Sequence, residues 1–121
     1  MKSVLQQSDK MLDLIARRFK MLGEPYRLRL LQLLEAGEKT VGELANELDG
    51  KQPTASKHLQ MLFDAGLVGR RRQGSSVYYS IADPMVFKLC ALVCQSAADR
   101  AREEFDELKA PASSRRASGT R

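Results

Sequence analysis

The stretch from Thr40 to Gly66 constrains this chain more than any other. Thr40 stands three residues before Glu43, the spacing at which a hydroxyl accepts from the third helical N–H while a carboxylate reaches back to the cap's own N–H. Val41, Leu44, Ala45 and Leu48 follow at i, i+3, i+4 and i+7, giving a short helix with one apolar stripe. Asp49-Gly50 is a turn dipeptide, and a second helical pattern runs from Gln52 to Ala65 with Ala55, Leu59, Leu62 and Phe63 inward, until Gly66 stops it. Two helices joined by so short a turn predict a helix-turn-helix.

The flanks extend this unit. Residues 9–22 place Met11, Leu12, Leu14, Ile15, Phe19, Met21 and Leu22 close to helical spacing before Gly23. Pro25, suited to a first turn whose N–H groups need no partner, opens a second helix through Ala36, and Gly37 closes it. Beyond Gly66, Leu67–Arg72 and Ser76–Ile81 are two β-rich runs around a Gly/Ser turn, a hairpin in which Val77, Tyr79 and Ile81 would face the core and Tyr78 and Ser80 would face out. Asp83-Pro84 starts a last helix whose pattern runs from Met85 to Leu108. The expected fold is mainly α: a winged helix-turn-helix of about five helices plus a two-stranded β-hairpin wing. Residues 1–109 form the expected domain; residues 110–121, with no apolar side chain larger than alanine, form an expected disordered basic tail.

A chain of 121 residues, 43% hydrophobic, has room for one core. Its longest charge-free runs, Gln73–Ala82 and Leu89–Ala98, are ten residues each, about half of what a membrane span needs. The N-terminus lacks the apolar core of a secretory signal, so the expected location is the cytoplasm, with Cys90 and Cys94 as thiols and no membrane partner. The net charge of +5 is unevenly spread: residues 51–82 carry +4, between −3 over residues 21–50 and −2 over residues 83–109. A basic block inside a folded domain suits either a polyanion-binding element or a solvated face.

Catalysis finds little support. The one histidine, His58, lies inside the helix-turn-helix, and the carboxylates Glu103, Glu104, Asp106 and Glu107 alternate with Arg100, Arg102 and Lys109 as a solvated helix face would. No enzyme activity and no required cofactor are expected.

The second helix of the helix-turn-helix offers more. With its apolar residues inward, Gln52, Ser56 and Gln60 at i, i+4 and i+8, joined by Lys57, fall on the opposite face. Short polar side chains at a helix N-terminus suit the DNA major groove, where Gln bonds adenine bidentately and Lys bonds guanine; an ordinary solvent-facing surface is the plain alternative. Arg70, Arg71, Arg72 and Gln73 then concentrate donors at the start of the wing, which suits contact with the DNA backbone or minor groove.

The run Leu28-Arg-Leu-Leu-Gln-Leu-Leu, then Thr40-Val-Gly-Glu-Leu-Ala, Gln52-Pro-Thr-Ala-Ser-Lys-His-Leu, Ala65-Gly-Leu-Val and Val77-Tyr-Tyr-Ser-Ile resembles the ArsR/SmtB family of winged-helix repressors over about residues 9–109. The resemblance implies a homodimer through the first and last helices that binds double-stranded operator DNA and releases it when an inducer is sensed. It places Gln52, Thr54, Ser56, Lys57 and His58 in the recognition helix and Arg72 and Gln73 near the wing tip. Lys51 stands where relatives often have a capping serine. The family's arsenic-sensing cysteine pair would fall in Glu43–Asp49, which has no cysteine, and its zinc-binding histidines would fall on the last helix, which has no histidine.

Cys90 and Cys94 remain, at i and i+4 on the last helix and therefore on one face. They are about 6 Å apart along the axis with parallel Cβ vectors, which disfavours a disulfide within the helix. A bridging soft metal or metalloid such as arsenite, or chemistry with a reactive oxygen or sulfur species, is easier. The alternative is packing, since Val86, Cys90, Val93, Cys94 and Ala97 form an apolar stripe. Two other functions stay open: a winged-helix regulator without a ligand, and a winged-helix module that binds protein.

Overall fold

A computed structural model describes residue 6 and residues 8–109; the expected disordered tail lies outside them. The chain divides into two compact units, with the boundary between Asp83 and Pro84.

In the first unit, α1 (Asp9–Leu22) begins at Ser8, whose hydroxyl accepts from the Met11 N–H at 3.3 Å. Asp9 and Lys20 lie at the ends of α1 whose partial charges they oppose. α2 (Pro25–Leu34) starts with Pro25 in its first turn and Glu24 as cap, and it buries Leu30, Leu31 and Leu34. It ends two residues before the expected Ala36, where Glu35 closes the last turn on the Leu31 and Gln32 carbonyls.

The capping box forms as the sequence predicts. Thr40 Oγ1 accepts from the Glu43 N–H at 3.2 Å and Glu43 Oε1 accepts from the Thr40 N–H at 2.9 Å; the Thr40 N–H foremost holds the Glu43 carboxyl below its ordinary range. α3 (Val41–Asn46) follows and packs on α4 (Gln52–Asp64) through Leu44 and Ala45 against a side on which Ala55, Leu59 and Leu62 are all fully buried. Gly66 takes φ +77° to leave α4, a conformation that carries almost no cost only for glycine.

The wing is larger than expected. β2 (Val68–Gln73) and β3 (Ser76–Ile81) pair antiparallel with Arg70 opposite Tyr79 and Arg71 opposite Tyr78. A two-residue loop joins them, with Gly74 at φ +63° and no left-handed non-glycine residue, the pattern of a type II′ turn. A third strand, β1 (Lys39–Thr40), pairs with the far edge of β3, Lys39 opposite Tyr79 and Thr40 opposite Tyr78, so the sheet order is β1-β3-β2. Two residues are too few to show alternation, which is why β1 is silent in the sequence. Tyr79 is buried as expected; Val77 and Ile81 are half-buried, and so are Tyr78 and Ser80, expected outside.

In the second unit, α5 (Met85–Lys109) begins one residue after Pro84. Val86 is buried, whereas Leu92, Val93, Phe105 and Leu108 are exposed. No helix among the described residues is long and apolar enough to cross a membrane.

Candidate nucleic-acid interface

The outer face of α4 carries the side chains that the helical period assigns to it. Gln52, Ser56, Lys57 and Gln60 are exposed and Thr54 is half-buried. The N-terminus of α4 is open: Lys51 provides no side-chain cap, and Pro53 brings no N–H. Gln52 lies back over α3, where a Cβ on Gly42 would stand 3.3 Å from its Nε2. Glycine at 42 therefore gives the amide its room.

His58 takes a different position. Its ring is half-buried and stacked on Tyr26 of α2, with centroids 4.7 Å apart and planes at 27°. His58 Nδ1 lies 3.2 Å from Arg27 Nη1. A guanidinium has only donors, so Nδ1 can take part in this contact only as an acceptor.

Arg27 is the centre of this cluster and passed unnoticed in the sequence. It is 7% exposed, yet it pairs with no carboxylate among the described residues. Its Nε donates to the Met21 carbonyl at 2.7 Å and its Nη2 to the Lys20 carbonyl at 3.1 Å, so the negative end of α1 offsets the charge. Nη1 faces His58 and, at 3.7 Å, the Met61 sulfur, so one guanidinium ties the end of α1 to α4. Tyr26 adds a second tie: its hydroxyl donates to Asp49 Oδ1 at 3.2 Å, and the same oxygen accepts from the Lys51 N–H at 3.0 Å. Burial, then the Asp49 charge, raises the Tyr26 phenol above its ordinary pKa, while the Lys51 N–H foremost lowers that of Asp49. The only sequence signal for the cluster was an arginine early in the leucine-rich run of α2.

The three wing arginines part company. Strand alternation puts Arg70 and Arg72 on one face of the sheet with Val77 and Tyr79, and Arg71 and Gln73 on the other with Tyr78. Arg70 folds back on α4: its guanidinium carbon lies 3.9 Å from the Phe63 ring centroid, and Nη1 donates to Gln60 Oε1 at 2.8 Å. Gln60 in turn donates to Asp64 at 2.8 Å. Arg71 crosses the opposite face over the Tyr78 ring, 4.6 Å from its centroid, and meets Glu38 just before β1. Its Nε reaches Glu38 Oε2 at 3.0 Å, Nη2 reaches Oε1, and Nη1 donates to Gln73 at 2.6 Å. These bonds hold the Glu38 carboxyl below its ordinary range and raise Arg71 further. Arg72 makes no side-chain hydrogen bond or ion pair among the described residues.

On α5, Cys90 is half-buried, Cys94 is exposed and both are free thiols. No group of three or more His, Cys, Asp or Glu side chains among the described residues is placed to hold a metal.

The helix-turn-helix fold of this chain is shared with known proteins. Residues 22–71 match a family described as a helix-turn-helix domain. A Streptomyces lividans protein named as a probable mercury resistance operon repressor is 43% identical over 89 residues, 74% of this chain and 71% of that one. The homodimeric winged helix-turn-helix DNA-binding domain Mb0332 of Mycobacterium bovis, described as a possible ArsR-family transcriptional regulator, is 42% identical, with a TM-score of 0.67 over 82% of this chain and 94% of that one. The chain belongs to the ArsR/SmtB family of winged helix-turn-helix regulators. Another similar structure is the transcriptional repressor BigR of Xylella fastidiosa, 32% identical, with a TM-score of 0.62 over 70% of this chain and 87% of that one. In this ArsR/SmtB chain α3 and α4 are the helix-turn-helix, α4 is its second helix and β2–β3 is the wing.

Proposed function

We propose that this ArsR/SmtB chain is a homodimeric repressor that binds double-stranded operator DNA with α4 in the major groove and the β2–β3 wing on the backbone. The observation that carries this reading is the exposed polar face of α4, Gln52, Ser56 and Lys57 with Gln60 held by Arg70 and Asp64 at its end, beside a wing whose Arg72 is unengaged among the described residues. Gln52, Thr54, Ser56, Lys57 and Gln60 meet base edges or nearby phosphates, and His58 supports the helix from its α2 side. Arg70, Arg72 and Gln73 serve the backbone, with Arg71 in the same role once its guanidinium is released from Glu38. Exposed Met11, Leu14 and Phe19 on α1, and exposed Leu92, Val93, Phe105 and Leu108 on α5, suit burial against a second copy, as the homodimeric relative suggests. Two α4 helices would then read half-sites about 34 Å apart.

A gel shift with the full chain tests the reading, using duplexes from upstream of its own coding sequence and shuffled duplexes at two salt concentrations. Tighter, salt-sensitive binding of an upstream duplex is expected. A chain that ignores DNA at low salt would instead be a protein-binding module.

Release belongs to Cys90 and Cys94. Two free thiols one turn apart, one half-buried and one exposed, suit a thiophilic metal or metalloid, an oxidant or a reactive sulfur species, and the mercury-resistance relative fits that class. The double variant Cys90→Ser/Cys94→Ser should keep operator binding and lose release by arsenite, cadmium, mercuric ion, peroxide and persulfide. Release that persists for all five assigns the cysteines to packing; no release of the wild-type chain by any of them points to a regulator without this ligand.

A further inference from the structure

We propose that Glu38 is a brake on sequence-independent DNA binding, acting as an internal stand-in for a phosphate at Arg71. The proposal rests on the DNA-binding reading above and adds a residue and a mechanism to it.

A paired carboxylate presents two oxygens to a guanidinium much as a DNA phosphate does, and arginine's planar fork matches either. Glu38 takes that place. It receives Nε and Nη2 of Arg71, while Nη1 goes to Gln73, so three of the five N–H donors of this guanidinium, the Nε/Nη2 fork among them, are occupied within the protein. Sheet order makes the pair possible: Arg71 starts on β2, passes over Tyr78 of the central strand and ends at the residue before β1 on the far edge. One of three adjacent wing arginines thus enters an encounter with DNA already neutralised.

The pair is exchangeable. Its side chains are 49% and 39% exposed, so water and salt screen it, and pairs of this kind contribute little to stability. A phosphate brought close by correct docking of α4 can displace the carboxylate. A phosphate in a loose, non-specific encounter meets a wing with less free charge. The effect is discrimination: Glu38 lowers affinity for every duplex and lowers it most where the fit is poor.

The test is a salt titration of the full chain on a shuffled duplex, comparing wild type, Glu38→Gln, Arg71→Gln and the double variant, with circular dichroism to confirm folding. Freeing one cation per protomer should steepen the slope of log affinity against log salt by about 0.9 for each protomer. For Glu38→Gln that means about 3.5-fold more affinity lost per protomer between 50 and 200 mM salt than for wild type. On the Arg71→Gln background the same Glu38 change should have no effect. An unchanged slope for Glu38→Gln, with the wild type still binding DNA, overturns the brake and leaves the DNA reading intact. An equal increment on both backgrounds also overturns it, since Glu38 would then act as a generic negative charge. A wild type with no salt-sensitive binding removes both readings. Should Arg71→Gln fail to fold, Arg71→Ala replaces it, and the Glu38 change on that background should again have no effect; a full increment there overturns the proposal.

Discussion

The two parts of the interface are built on opposite plans. α4 is held from behind and left open in front: Ala55, Leu59 and Leu62 are fully buried, Arg27 and Tyr26 grip its α2 side, and its outer polar side chains face solvent. The wing is built from its own functional groups. Arg70 lies on Phe63 and Gln60, Arg71 lies on Tyr78 and Glu38, and Arg72 alone of the three has no side-chain partner among the described residues. Charge counted in the sequence is therefore not charge available to a ligand. On α4 the support from α2 leaves Gln52, Ser56 and Lys57 outward, with Gln60 tied to Arg70 and Asp64, whereas on the wing Arg70 and Arg71 are engaged within the protein and Arg72 is not.

The sharpest way to break this contrast is through the support network. Arg27→Met removes a buried guanidinium, takes from the Met21 carbonyl its arginine donor and leaves the Lys20 carbonyl with the Gly23 N–H alone, so it should cost about 2–3 kcal/mol in a urea melt, as hydrogen bonds to charged groups do when lost. An unchanged midpoint would mean that α4 is held by apolar packing alone. The wing counterpart is smaller. Arg70→Ala removes an exposed cation over an aromatic ring and should cost about 0.5–1 kcal/mol in the same melt. If it matched Arg27→Met, wing and support would be of one kind and the contrast would collapse.

The order of legibility follows the same division. The capping box, the apolar stripes of α3 and α4 and the Gly74 turn are local patterns, and the sequence displays them because each depends on residues a few positions apart. Gln52, Ser56, Lys57 and Gln60 were legible for the same reason: helical period alone puts them opposite Leu59. His58 stands on the flank of that face, and only the tertiary position of α2 turns it to Tyr26 and Arg27. β1 is two residues long, and the Arg71–Glu38 pair spans 33 positions of sequence, so neither leaves a local trace. Arg27 stands two residues before Arg29 in the same leucine-rich helix, and only the packing of α1 and α4 against α2 buries the first while the second stays exposed.

The central claim is a division of labour between α4 as reader and the wing as backbone anchor. Fluorescence anisotropy tests it most directly, measuring Gln52→Ala and Arg72→Ala against the operator, a set of single-base operator variants and a shuffled duplex over a salt series. Gln52→Ala should lose about 1–3 kcal/mol of discrimination at one base pair and keep the salt slope. Arg72→Ala should weaken all duplexes alike and flatten the slope by about 0.9 per protomer. Equal loss of discrimination and of slope in both variants would contradict the account.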